Sequence, residues 1–223
     1  MDVVLLGHSF IRRMRDDLSP PMFTKHGLDI GHYSSLKAAR FSTALRISNH
    51  IRGMYTLSNN VNFINDITHS KRLIIRTSPG IVIIDIGSND LARIDNVNPV
   101  KMLELATKIT DIATQLSAPV VIINCILPRS VRIASNPKTY LENTIHYNTF
   151  LKNICDTSDN LVFHKLRGFT HTWVNDIERR LEVSEWSSDG IHCNTPASRK
   201  KYRDSVRHAI LSEVARARDN QPR

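Results

Sequence analysis

Three stretches of almost unbroken apolar residues, Val3–Leu6 ("VVLL"), Ile81–Ile86 ("IVIIDI") and Val120–Ile126 ("VVIINCI"), constrain this chain more than anything else in it. A strand with one face in water alternates apolar and polar residues. Strands apolar at nearly every position must be covered on both faces, which is the condition of central strands in a parallel sheet. Between the second and third runs, Met102, Leu105, Ala106, Ile109, Ala113 and Leu116 recur at three- and four-residue spacing, the stripe of a helix packed on a sheet. Leu141, Ile145, Leu151 and Ile154 repeat that stripe, and Leu161–Leu166 supply a further strand. Tyr202, Val206, Ile210 and Val214 mark a terminal helix that Asn194 or Thr195 can cap, with Pro196 in its first turn. Strands alternating with helices predict an α/β fold with helices on both faces of a parallel sheet. Leu28–Ile30 reads as a short second strand and Phe41–Ile51 as a helix, while residues 56–80 have no clear period and read as irregular helix and loop.

The 223 residues suffice for one core, and no linker divides them; the expectation is one domain over residues 1–218 and a frayed tail over 219–223. With 41% apolar and 23% charged residues, the composition excludes a disordered chain. No apolar stretch reaches the ~18 residues that span a bilayer. Residues 1–10 lack the basic region and cleavage site of a secretory signal, so the chain reads as intracellular and cytoplasmic, or as a domain cut from something longer. Cys125, Cys155 and Cys193 form no CxxC pair and leave an odd thiol, which favours a reducing compartment and no metal site. The net charge is +9, and from Ala197 onward eight Lys or Arg face three acids. A basic helix of this kind, with Arg199, Lys200, Lys201, Arg203 and Arg207, is either a solvated face or a contact for nucleic acid or anionic lipid, and the sequence leaves both open.

Ligands of an open parallel sheet bind beyond the carboxyl ends of its strands, and three polar stretches fall there. In "VVLLGHSF", Gly7 permits a tight turn and Ser9 follows where a helix would start, as a cap or as a hydroxyl at the ligand edge. In "IIDIGSNDLAR", Gly87 and Asn89 end the second run, as turn formers or as a hydrogen-bond donor to an oxyanion. In "SEWSSDGIHCN", Asp189 and His192 lie three apart before the final helix. A serine hydroxyl needs an imidazole to take its proton, and the imidazole needs a carboxylate to hold its tautomer.

Taken in this order, Gly-x-Ser, Gly-x-Asn-Asp and Asp-x-x-His resemble the blocks of the SGNH hydrolases, also called the GDSL esterase/lipase superfamily. The resemblance runs from Val3 to about Ile210. It implies a flavodoxin-like three-layer α/β/α sandwich with about five parallel strands, and hydrolysis of a carboxylic ester through an acyl-serine, without metal or organic cofactor. It assigns Ser9 as nucleophile, His192 as general base and Asp189 as the carboxylate orienting it. Asn89 and the Ser9 N–H become oxyanion donors, with Gly87 beside them. The helix containing "TIHYNTFL", with Asn148, resembles the family's fourth helix. Two positions depart from the pattern. His8 stands where the family usually has Asp, and "HYSSLKAARFS" lacks the glycine of the second block, so Ala38 or Ala39 would supply that N–H.

The aromatic content of 6% and the lack of a long apolar lid favour a small ester with a short acyl group. Two other readings share the fold. One is a basic SGNH-like binding domain of the kind found in LINE-type retrotransposon proteins, contacting nucleic acid or anionic membrane. The other is a nucleotide or phosphate binder of flavodoxin type.

Overall fold

The structure, a computed structural model, describes residues 3–7, 80–129, 136–167, 169, 172–174, 177–179 and 195–219. Strands β1 (Val3–Gly7), β2 (Ile81–Asp85), β3 (Val120–Asn124) and β4 (Leu161–His164) form one parallel sheet in the order β1-β2-β3-β4. Val3 pairs with Ile81, Ile81 with Val120, and Val121 with Leu161. The apolar runs outlast the strands: Ile86, Cys125, Ile126 and Leu166 lie past the last paired residues and stay buried. Four parallel strands are thus described where about five were predicted. The expected strand at Leu28–Ile30, the helix at Phe41–Ile51 and the irregular segment up to residue 79 lie outside the described residues.

The described helices are α1 (Ser88–Leu91), α2 (Pro99–Gln115), α3 (Pro137–Asp156) and α4 (Pro196–Asp219). The two middle ones start alike. Asn98 Oδ1 accepts from the Lys101 N–H at 2.9 Å and Asn136 Oδ1 from the Thr139 N–H at 3.1 Å, each with proline next. Of the two caps proposed for the last helix, Thr195 serves: its Oγ1 accepts from the Ser198 N–H at 3.1 Å. Past the end of α2, Ser117 takes φ 54°, a left-handed residue that turns the chain toward β3.

Successive side chains of a strand point to opposite faces. Phe163 lines a cavity of about 260 Å³ with Thr144, Ile145 and Asn148 of α3, whereas His164 reaches Ser205 of α4 at 3.0 Å. The sheet therefore lies between α3 and α4, as the three-layer reading requires. Helices α2 and α3 pack on each other, and buried Asn143 pins the loop ahead of α2. Its Oδ1 accepts from the Asn98 N–H and its Nδ2 donates to the Asn96 carbonyl, both at 2.9 Å. Ile83, Ile84, Ile122, Ile123, Ile109, Leu151, Val206 and Ile210 are each 1% exposed or less. Each contributes about 1.5–3 kcal/mol by leaving water.

One described element had no counterpart in the sequence reading: the antiparallel pair β5 (Thr172–Val174) and β6 (Ile177–Arg179). Among the described residues no helix is long and apolar enough to cross a membrane.

Candidate active site

Polar residues interrupt the apolar strands at one level, the carboxyl edge. Gly7 is the register partner of Asp85, and Asn124 that of His164. Asp85 and Asn124 are both buried. Asn124 Nδ2 donates to Asp85 Oδ2 at 3.3 Å, and the Tyr202 hydroxyl of α4 donates to the same oxygen. One turn on, Ser205 Oγ accepts from the Arg167 N–H at 2.7 Å and shares a 3.0 Å hydrogen bond with His164 Nε2. Burial, with the charges of His208 and Arg167, pulls the His164 pKa down to about 4, so this ring is neutral near pH 7.

These contacts orient α4. Tyr202 and Ser205 meet the last residues of β2, β3 and β4, while Val206, Ile210 and Val214 are buried in the core. The six steps from Pro196 to Tyr202 rise about 9 Å, so the helix begins at the carboxyl edge of the sheet.

Beyond β2 the chain turns at Gly87, with φ 113°. A Cβ here would lie 2.9 Å from Ile126 Cδ1 and 3.3 Å from the Tyr147 hydroxyl, so both the backbone angle and the space call for glycine. The Asp90 and Leu91 N–H groups then close on the Gly87 carbonyl at 3.0 and 3.2 Å. This short turn leaves Asn89 half-buried while Ser88 and Asp90 are buried. Asn89 Oδ1 accepts from Arg129 Nη2 at 2.7 Å. Guanidinium only donates, so the amide must turn its oxygen to Arg129. Its Nδ2, the donor end, has no hydrogen-bond partner among the described residues.

The loop after β3 is held as firmly. Asn148 of α3 grips one residue from both sides: its Oδ1 accepts from the Ile126 N–H and its Nδ2 donates to the Ile126 carbonyl, each at 2.9 Å. The Arg129 guanidinium lies 5.3 Å from the centre of the Tyr140 ring. The Tyr140 hydroxyl donates to the Leu127 carbonyl at 3.3 Å. Cys125 sits at this edge too, and burial pushes its pKa up to about 12, which favours the thiol over the thiolate near neutral pH.

Of the residues singled out in the sequence, Gly87 and Asn89 are brought together with the β3 loop. Ser9, Ala38, Ala39, Asp189 and His192, with His8 and Cys193, lie outside the described residues. The residues sequence reasoning missed are Arg129, Asp85, Asn124 and Tyr202. Asp85 and Asn124 carried a signal, each being a polar residue inside an apolar run. The basic helix is partly self-neutralised: Arg203 and Arg207, both half-buried, lie 3.5 and 4.0 Å from Asp204, and Lys200 lies 3.0 Å from it.

No family model matches the chain, and no curated protein matches it in sequence. Solved structures do. A GDSL-like lipase from Bacteroides thetaiotaomicron is similar at 14% identity and a TM-score of 0.56, over 95% of this chain and 88% of the other. An acetyl esterase variant holding an acetate ion gives 14% and 0.55, over 97% of this chain and 99% of the other. A family 3 carbohydrate esterase from Clostridium thermocellum gives 14% and 0.53, over 96% and 98%. At such identities the likeness is one of backbone. In fold, the chain is similar to this GDSL-like lipase and these esterases.

Proposed function

We propose that the chain is a serine ester hydrolase acting on small esters through an acyl-serine intermediate. The observation that carries this reading is the Asn89 amide, held at the carboxyl edge of β2 with its oxygen engaged by Arg129 and its N–H2 left as donor. Such an amide suits an oxyanion hole, because it points a fixed dipole at charge that develops only during reaction. Two further observations support it. Gly7 ends β1 level with Asp85, so Ser9, two residues on, is within about 7 Å of chain from that edge. His192 is three residues from Thr195, the cap of a helix that begins at the same edge. The esterases and lipase with this fold are consistent with ester chemistry.

In this mechanism the Ser9 hydroxyl attacks the ester carbonyl as His192 takes its proton, and Asp189 steadies the imidazolium. The tetrahedral oxyanion accepts from Asn89 Nδ2, the Ser9 N–H and the N–H of Ala38 or Ala39. Its collapse breaks the bond to the alcohol, which leaves with the proton from His192. Water, deprotonated by His192, then cleaves the acyl-serine and regenerates the hydroxyl.

The test is hydrolysis of p-nitrophenyl acetate by the purified chain. Turnover should rise through the range where His192 becomes neutral and vanish in Ser9→Ala and His192→Ala. Turnover unchanged in Ser9→Ala would overturn the reading.

A further inference from the structure

We infer that Arg129 is the positioning residue of the Asn89 amide: its guanidinium fixes which end of the amide faces the reacting carbonyl and strengthens that end as a donor. The inference rests on the ester-hydrolase reading for its kinetic consequence, but its structural part stands on the geometry alone.

An asparagine at a sheet edge has two amide orientations of similar shape, and only one offers N–H2 to an oxyanion. The 2.7 Å contact from Arg129 Nη2 selects it, because the reverse orientation would set N–H2 against a guanidinium that cannot accept. A cation on the amide oxygen also polarises the group, drawing electron density from nitrogen and making its N–H a better donor. The guanidinium is itself fixed. It lies over the Tyr140 ring at 5.3 Å, and Tyr140 is buried and tied to the Leu127 carbonyl. Three residues before Arg129, Ile126 is held from both sides by Asn148. The loop after β3 thus supports the turn after β2, and Arg129 is the link between them. Lysine would keep the charge over the ring but lose the planar fork.

The experiment is a double-mutant cycle on the full chain, with p-nitrophenyl acetate as substrate and thermal unfolding beside it. Arg129→Met should lower kcat by roughly 10- to 100-fold with KM nearly unchanged, since misplacing a group by a fraction of an ångström acts on the transition state. In the Asn89→Ala background the same change should lower kcat by less than about 3-fold, because no amide remains to be oriented. A merely structural role predicts equal losses in both backgrounds, and that result would overturn the inference. So would an unchanged kcat in Arg129→Met where Asn89→Ala is impaired. Should Arg129→Met fail to fold, Arg129→Lys replaces it in the same cycle, with a smaller loss expected. If Asn89→Ala leaves kcat intact, the oxyanion reading has failed. The orientation is then judged by the Asn89 side-chain amide signals in ¹H–¹⁵N spectra, which should move in Arg129→Met and would refute the inference by staying in place.

Discussion

Gly7 and Asp85 are register partners at the carboxyl ends of adjacent parallel strands, so β1 and β2 end side by side and level. Asp85 also receives the Tyr202 hydroxyl from α4. Asp85 therefore stands where three segments meet: the end of β1, the turn carrying Asn89 and the first turns of α4. In sequence, the proposed nucleophile Ser9 follows the end of β1 by two residues and the proposed base His192 precedes Thr195 by three, while Asn89 lies on the turn after β2.

Tyr202→Phe keeps the ring that packs edge-on to Phe169, with centroids 6.4 Å apart, and removes only the hydroxyl. Asp85 loses a buried donor, which costs about 1–3 kcal/mol. Denaturant unfolding should show a lower midpoint with an unchanged slope; an unchanged midpoint would mean that the tie from α4 to β2 contributes nothing.

Gly87→Ala meets two penalties, a positive φ and a Cβ within 2.9 Å of Ile126 Cδ1. Together they should cost about 2–4 kcal/mol. Ile126→Val deletes the clashing methyl, so Gly87→Ala should cost less in that background. Equal thermal shifts in the two backgrounds would remove the steric part of the account and leave the backbone angle alone.

His164 links stability to pH. Its pKa is lowered from 6.5 to about 4 in the folded chain, first by burial and then by His208 and Arg167. Between those values the unfolded chain binds a proton that the folded chain refuses. The contribution is therefore complete above pH 6.5 and is lost as pH falls toward 4. His208 is shifted in the same direction. Urea unfolding at intervals from pH 7 to 4 should give a shallower loss for His164→Gln than for the parent; parallel curves would contradict this.

The fold was legible because its strands announce themselves. Residues 81–84 and 120–123 are apolar at every position, the pattern of strands covered on both faces. Asn98-Pro99 and Asn136-Pro137 likewise declare helix starts by local chemistry. The pair β5 and β6 escaped because three-residue strands such as "TWV" and "IER" are too short to show a period, although the intervening Asn175 and Asp176 are turn formers. At the site, Gly87 and Asn89 could be read from their place after a strand. Arg129 and Tyr202 could not. Their meaning lies in partners 40 and 117 residues away: nothing local in "LPRS" distinguishes Arg129 from a surface residue, and the helix stripe marks Tyr202 for burial without naming Asp85 as the partner of its hydroxyl.

The claim that Ser9 is an activated nucleophile is tested most directly by covalent capture. The native chain is treated with a fluorophosphonate, digested, and its peptides mapped by mass spectrometry. A serine hydroxyl primed by an imidazole displaces fluoride and keeps the phosphonyl group, while an ordinary surface serine does not react. The account predicts one adduct, on Ser9, lost in His192→Ala and in chain unfolded before treatment. No adduct on Ser9, or an adduct that persists after unfolding, would contradict it.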